Sequence, residues 1–216
     1  MTSSVDYTIR AIHPAAHLFE VSLSLADVDP EGQVFSLPAW IPGSYMIREF
    51  ARNIVTLRAE AGGRTVEAGK LDKHTWQLPA GLRGPVVLTY TVYAWDLSVR
   101  TAHLDQTHGF FNGTSVFLCA RGREALPHRV NILPPAGLEA AGWRVATSLP
   151  EAVGESGVAP RYGFGWYRAD NYDELIDHPV EMGSFSLFEF EACGVPHAVA
   201  ITGRHDCDGA RLVADL

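Results

Sequence analysis

The chain has 216 residues, of which 47% are hydrophobic and 19% charged, and its 25 acidic side chains outnumber 17 basic ones for a formal charge of −8. That length and apolar content suit one large core, or one domain with a piece of a second, and exclude a disordered tail. An acidic chain without a Lys/Arg run excludes nucleic acid as the expected partner, because phosphate backbones reward basic surface, and no apolar run approaches the roughly 20 residues of a membrane-spanning helix.

The opening "MTSSVDYTIRAIHP" has no basic region followed by an apolar one. The expectation is therefore a protein without its own export signal, cytoplasmic rather than secreted, with no membrane partner. In "HPAAH", His13 and His17 stand four apart, but Pro14 and the strand that follows argue against a helical metal pair. "HLFEVSLSLADV" sets Phe19, Val21, Leu23 and Leu25 on one face against Glu20, Ser22 and Ser24, the period of two of a half-buried strand. Next comes "PAWIPGSYMIREF", where Pro42-Gly43 predicts a tight turn of type II that holds Trp40, Tyr45 and Phe50 around it.

"NIVTLRAEA", "HTWQL", "GPVVLTYTVYAW", "TSVFLCA", "HRVNIL" and "GWRVATSL" repeat the strand pattern, parted by clusters such as "EAGGRT" and "PAGLRGP". Short strands without helical periods between them predict an all-β fold, an antiparallel β-sandwich, over residues 1–170. Past that point "ADNYDELIDHPVEMG" predicts a short capped helix stopped by Pro179 and acting as a connector. "SFSLFEFEACGVPHAVAITG" predicts a β-hairpin around "CGVP", and Asp208 caps the start of a helix whose apolar side is Leu212, Val213 and Leu216. Residues 171–216 are expected to be the connector and opening elements of a second, truncated domain.

Chemistry is sparse along this chain. The zinc-peptidase signature H-E-x-x-H is absent, as is the G-x-S-x-G elbow, and "GFGWYR" lacks the third glycine of a phosphate loop. Cys193, His197, His205 and Cys207 form the most metal-like set, but in an unfamiliar ligand spacing that hairpin residues facing different ways explain better. Cys119 completes an odd trio that argues against a disulfide scaffold. The expectation is no catalytic residue and no metal ligand. Four loops instead carry turn pairs beside aromatics, the composition of a ligand pocket: "PAWIPGSYMIREF", "AWDLSVRTAHLD", "HGFFNGTS" and "DELIDHPVEMG".

In that order the same loops resemble the amino-terminal region of the glycyl aminopeptidase family, zinc metallopeptidases that usually also carry a PDZ domain. The resemblance implies a non-catalytic β domain ahead of a thermolysin-like catalytic domain, whose H-E-x-x-H helix and a downstream Glu bind zinc. It implies partners in the remaining catalytic and PDZ domains and in a peptide substrate, with no cofactor in this chain and zinc in the parent enzyme. Related metallo-aminopeptidases use the β domain to cover one side of the cleft and to help bind the substrate's amino end. Tyr45, Arg48, Asn112 and Glu181 are the substrate-binding residues expected on that basis, Glu181 first because a carboxylate suits an α-ammonium. The rival expectation is a stand-alone module in which Trp40, Tyr45, Phe111 and Asn112 bind a carbohydrate or peptide.

Overall fold

The computed structural model describes residues 4–137 and 142–216. Strand β1 (Val5–His13) buries Val5, Tyr7, Ile9 and Ala11 and turns Asp6, Thr8 and Arg10 outward. A single 3-10 turn at Pro14–Ala16 reverses the chain, with His17 left-handed at φ 61°, into β2 (Leu18–Leu25). β3 (Val34–Ser36) leads into the 38–50 loop, after which β4 (Ile54–Ala61) and β5 (Arg64–Val66) form a hairpin. Its turn is Gly62-Gly63, both at positive φ, which suits the primed turns of two-residue hairpins.

β6 (Gly69–Lys70), β7 (Thr75–Gln77) and β8 (Val86–Tyr93) follow, then β9 (Ala102–Leu104), β10 (His108–Phe111) and β11 (Cys119–Ala120). β12 (His128–Leu133), β13 (Arg144–Thr147) and β14 (Gly165–Ala169) precede helix α1 (Tyr172–Asp177). β15 (Val180–Gly183), β16 (Phe185–Ala192), β17 (Val195–Thr202) and helix α2 (Gly209–Asp215) complete the order.

These strands make a seven-stranded sheet in the order β14-β12-β1-β2-β8-β4-β5, two four-stranded sheets, β13-β15-β10-β9 and β11-β3-β7-β6, and the two-stranded β16-β17 hairpin. The predicted all-β sandwich is what forms. One pairing departs from the antiparallel rule: β1 runs parallel to β12, Val5 facing His128 and Ile9 facing Ile132. The helix expected at "YDELID" is α1, whose N-cap Asn171 accepts from Glu174 N at 2.9 Å, and Asp208 caps α2 in the same way.

Residues 111–120 are all buried, and here the structure corrects the strand expected at "TSVFLCA". A 3-10 turn occupies Gly113–Ser115 and only Cys119–Ala120 pair with a neighbouring strand. Buried backbone still needs partners. Tyrosine hydroxyls supply them: Tyr7 donates to Leu118 O at 2.7 Å, Tyr172 to Phe117 O at 2.7 Å, and Tyr90 donates to Val116 O at 2.8 Å while accepting from Leu118 N at 3.0 Å. This buried segment is thus held by tyrosine side chains as well as by its short pairing with β3.

Candidate functional site

The four-stranded sheet β13-β15-β10-β9 positions the chemistry. Its register sets Ala146, Glu181, Phe110 and His103 in one row across neighbouring strands, and an isolated bridge extends the row to Trp95. Residues directly opposite one another in adjacent strands share a face. Against the Ala146–Glu181–Phe110 end lies a cleft of about 450 Å³, closed on its other side by Leu187, Pro196 and Ala198 of the β16-β17 hairpin. Glu181 Oε1 accepts from His108 Nδ1 at 3.1 Å and from Thr202 Oγ1 at 2.7 Å, so this carboxylate ties β10 and β17 together. Its hydrogen bond to Glu181 holds the His108 imidazole above its ordinary pKa of 6.5, against the opposing effect of burial.

At the other end of the row, Asp105 closes the β9–β10 turn. Its Oδ1 accepts from Thr107 N, Thr107 Oγ1 and His108 N, at 2.6, 2.6 and 3.0 Å, while Oδ2 faces His103 Nε2 at 3.3 Å. Burial raises the carboxyl's pKa, but these donors outweigh it and hold it well below the usual carboxylate range. The rings of Trp95, His103 and His108 stack in sequence at 4.9 Å spacings.

The four expected substrate-binding residues do not converge. Glu181 lines the cleft. Tyr45 projects fully into solvent at a loop tip where Met46 and Ile47 are also exposed. Arg48 is half-buried, donates from Nε to Ser44 Oγ at 3.3 Å, and lines a separate hollow with Trp95 and Asp96. Asn112 is buried and committed to the turn it starts, its Oδ1 accepting from Thr114 N at 3.1 Å and from the Thr114 hydroxyl. With Phe111 also fully buried, the quartet Trp40, Tyr45, Phe111 and Asn112 presents no common binding face, which corrects the rival expectation.

The predicted turn at Pro42-Gly43 is there: Ser44 N donates to Ile41 O at 3.1 Å with Gly43 at φ 79°, the left-handed value a type II corner requires. Trp40 Nε1 closes it by donating to Ser44 O at 2.8 Å. A hollow of about 950 Å³ separates this loop from α1, lined by Trp40, Pro42, Thr114, Arg121 and Glu174 among others.

The Cys193, His197, His205 and Cys207 set is dispersed. Cys193 is exposed at the hairpin turn, the His197 ring stacks on Phe190 at 5.1 Å, and His205 bonds Ser186 at 2.9 Å. Burial pushes the Cys119 thiol up to about 12, which leaves it a poor nucleophile. Among the described residues, the side chains that do converge as a metal-ligating trio are His103, Asp105 and His108. They lie outside the expected site residues, although "AHLDQTH" carries a signal: two residues two apart before a turn and a histidine just after it share a face once the hairpin closes.

Fold and cleft together define an all-β sandwich domain with a ligand-sized cleft at the edge of one sheet. The chain belongs to the peptidase M61 N-terminal domain family, whose match spans residues 6–184. Among solved structures it is similar to the aminopeptidase N family protein from Idiomarina loihiensis, at 43% identity and a TM-score of 0.90, with 98% of this chain and 34% of that one covered. The chain thus spans about a third of that protein's length. An M1 zinc metallopeptidase from Deinococcus radiodurans aligns at 10% identity and a TM-score of 0.49, over 88% of this chain and 43% of its own. No curated protein matches the chain.

Proposed function

We propose that this chain is the non-catalytic amino-terminal domain of a zinc-dependent aminopeptidase, and that it covers one side of the active-site cleft and positions the substrate's amino end. The family match supports the setting. The observation that carries the positioning role is Glu181, a carboxylate in the wall of a cleft that it shares with the apolar Phe110, Leu187 and Pro196 and with the polar Ser148, Arg161 and His197. A carboxylate offers about four lone-pair sites. With His108 and Thr202 both on Oε1, Glu181 keeps acceptor capacity for an ammonium.

In this reading residues 1–170 are the sandwich, and 171–216 are the connector and opening elements of the peptidase domain, anchored in the sandwich through β15 between β10 and β13. The chain's own residues do not fit the zinc of such an enzyme, since H-E-x-x-H does not occur in it. The metal and the bond-breaking chemistry belong to the rest of the parent, with the catalytic and PDZ segments as covalent partners. What the β domain contributes is orientation: holding one end of a peptide decides which bond reaches the reactive centre.

The test is Glu181→Gln in the full-length peptidase, assayed on glycyl and alanyl amides. A hydrogen bond to a charged group contributes about 1.5–3 kcal/mol, so KM should rise tenfold or more while bound zinc stays at the wild-type level. An unchanged KM would reduce Glu181 to a brace between β10 and β17.

A further inference from the structure

We propose that His103, Asp105 and His108 form a binding site for one divalent first-row transition metal ion, with zinc as the principal occupant, within the β domain itself. This departs from the expectation of no metal ligand in the chain, and Glu181 enters it as the outer partner of His108 and not as a ligand.

The trio is built by hairpin register. His103 and Asp105 are two apart and so share a face, and His108 lies across the turn from Asp105, its carbonyl accepting from Asp105 N at 3.0 Å. One ligand atom from each of the three lies within 4.8 Å of the others. A tetrahedral ion with ligands at about 2.0–2.2 Å sets neighbouring donor atoms roughly 3.4 Å apart. His103 Nε2 and Asp105 Oδ2 already stand 3.3 Å apart, so only the His108 ring has to close on them.

The surroundings match what metal-ligating side chains require. His108 Nδ1 donates to Glu181, which fixes the tautomer with its Nε2 lone pair facing away from that carboxylate, the outer-partner arrangement of metal-bound histidines. Three donors occupy Asp105 Oδ1 and leave Oδ2 aimed at His103. Stacking on Trp95 holds the His103 ring. Side-chain exposures of 9% for His103, 30% for Asp105 and 14% for His108 leave the trio half-buried and still open to solvent.

Charge argues the same way. Among the described residues neither Asp105 nor Glu181 pairs with an Arg or Lys, and their ionic contacts are the two imidazoles. Two carboxylates meet in a partly desolvated place, and a divalent cation bound there neutralises them. Two nitrogens and one oxygen are borderline ligands that suit zinc over calcium or magnesium.

The experiment is titration of the metal-stripped 216-residue chain with zinc by calorimetry, and with cobalt(II) by its visible ligand-field absorption. Wild type should take up one equivalent and show the absorption of a low-symmetry, four- or five-coordinate cobalt site. Asp105→Asn keeps the Oδ1 acceptor that the turn needs and removes the charge, so it should fold and bind at least about tenfold more weakly. His108→Gln should weaken binding at least as much, while Cys193→Ser with Cys207→Ser should not. Zinc should also raise the unfolding temperature of wild type and not of the His108 variant. Absence of a stoichiometric site, affinity unmoved by the Asp105 and His108 variants, or affinity lost with the cysteines would each overturn the proposal.

Discussion

The Tyr90 hydroxyl stands between two backbone groups of the buried 113–120 segment, where Tyr7 and Tyr172 each serve one. An unsatisfied buried polar group costs about 1–3 kcal/mol. Tyr7→Phe should therefore lower unfolding free energy by about that much, and Tyr90→Phe by more, because it strands a donor and an acceptor together; urea denaturation would rank them. His128 makes a second prediction at this scale. It is buried between Tyr7 and Tyr172, its Nδ1 donating to Leu126 O at 2.7 Å, and burial lowers its pKa from 6.5 although Leu126, Asp6 and Glu124 oppose the shift. A folded-state pKa below the unfolded one makes the unfolded chain bind more protons, so stability is full above about pH 6.5 and falls as pH drops toward the folded value. His128→Gln should flatten that part of the wild-type stability curve between pH 8 and 5.5; identical slopes would mean His128 is solvated in the folded state.

Elements differ in how firmly they are held. The seven-stranded sheet buries one whole face of β1, β2 and β8, whereas β16 and β17 pair only with each other. The hairpin's ties to the sandwich include buried Phe185, whose carbonyl accepts from Arg144, Glu189 bonded by Arg161 at 3.0 Å and Tyr162 at 2.7 Å, and the Thr202–Glu181 bond. Exposed ion pairs contribute about 0–1 kcal/mol. Native-state hydrogen exchange should consequently show β16–β17 amides opening well below the global unfolding free energy that governs β1, β2 and β8. Which elements could be read in advance follows from where their partners lie. "HRVNIL" and "LFEVSLSL" declare themselves by period two, and "VDYTIRAIH" carries the same alternation. "TSVFLCA" misled because an apolar run looks alike whether a ladder or three distant tyrosines satisfy its backbone. Glu181 lies in a motif that the resemblance marks, whereas the His103–Asp105–His108 face emerges from "AHLDQTH" only once the hairpin register pairs Asp105 with His108.

At the scale of the molecule, the order of the large sheet runs against the order of the chain. β1 sits between β2 and β12, so the first strand pairs in parallel with one more than a hundred residues later, and Arg129 of β12 bonds Asp6 of β1 and Glu155 beyond it. Strands with two neighbours carry two ladders of backbone bonds, and removing one exposes both partners as edges. α2 is the opposite case: seven residues with none fully buried, one Asp208 cap, and a contact of Gly209 against the Phe188 ring. Deleting residues 1–13 should abolish cooperative unfolding and leave aggregated protein. Deleting 204–216 should cost about 1 kcal/mol, or roughly 2–4 °C in Tm for a chain of this length. Differential scanning calorimetry separates the two cases. A cooperative transition in the first deletion would mean that β2 and β12 can pair without β1, and a collapse in the second would mean that α2 holds the β16–β17 hairpin in place. The asymmetry fits the proposed role, since a sandwich closed on its own core can present a loosely tied hairpin and the Glu181 cleft to whatever follows in the parent chain.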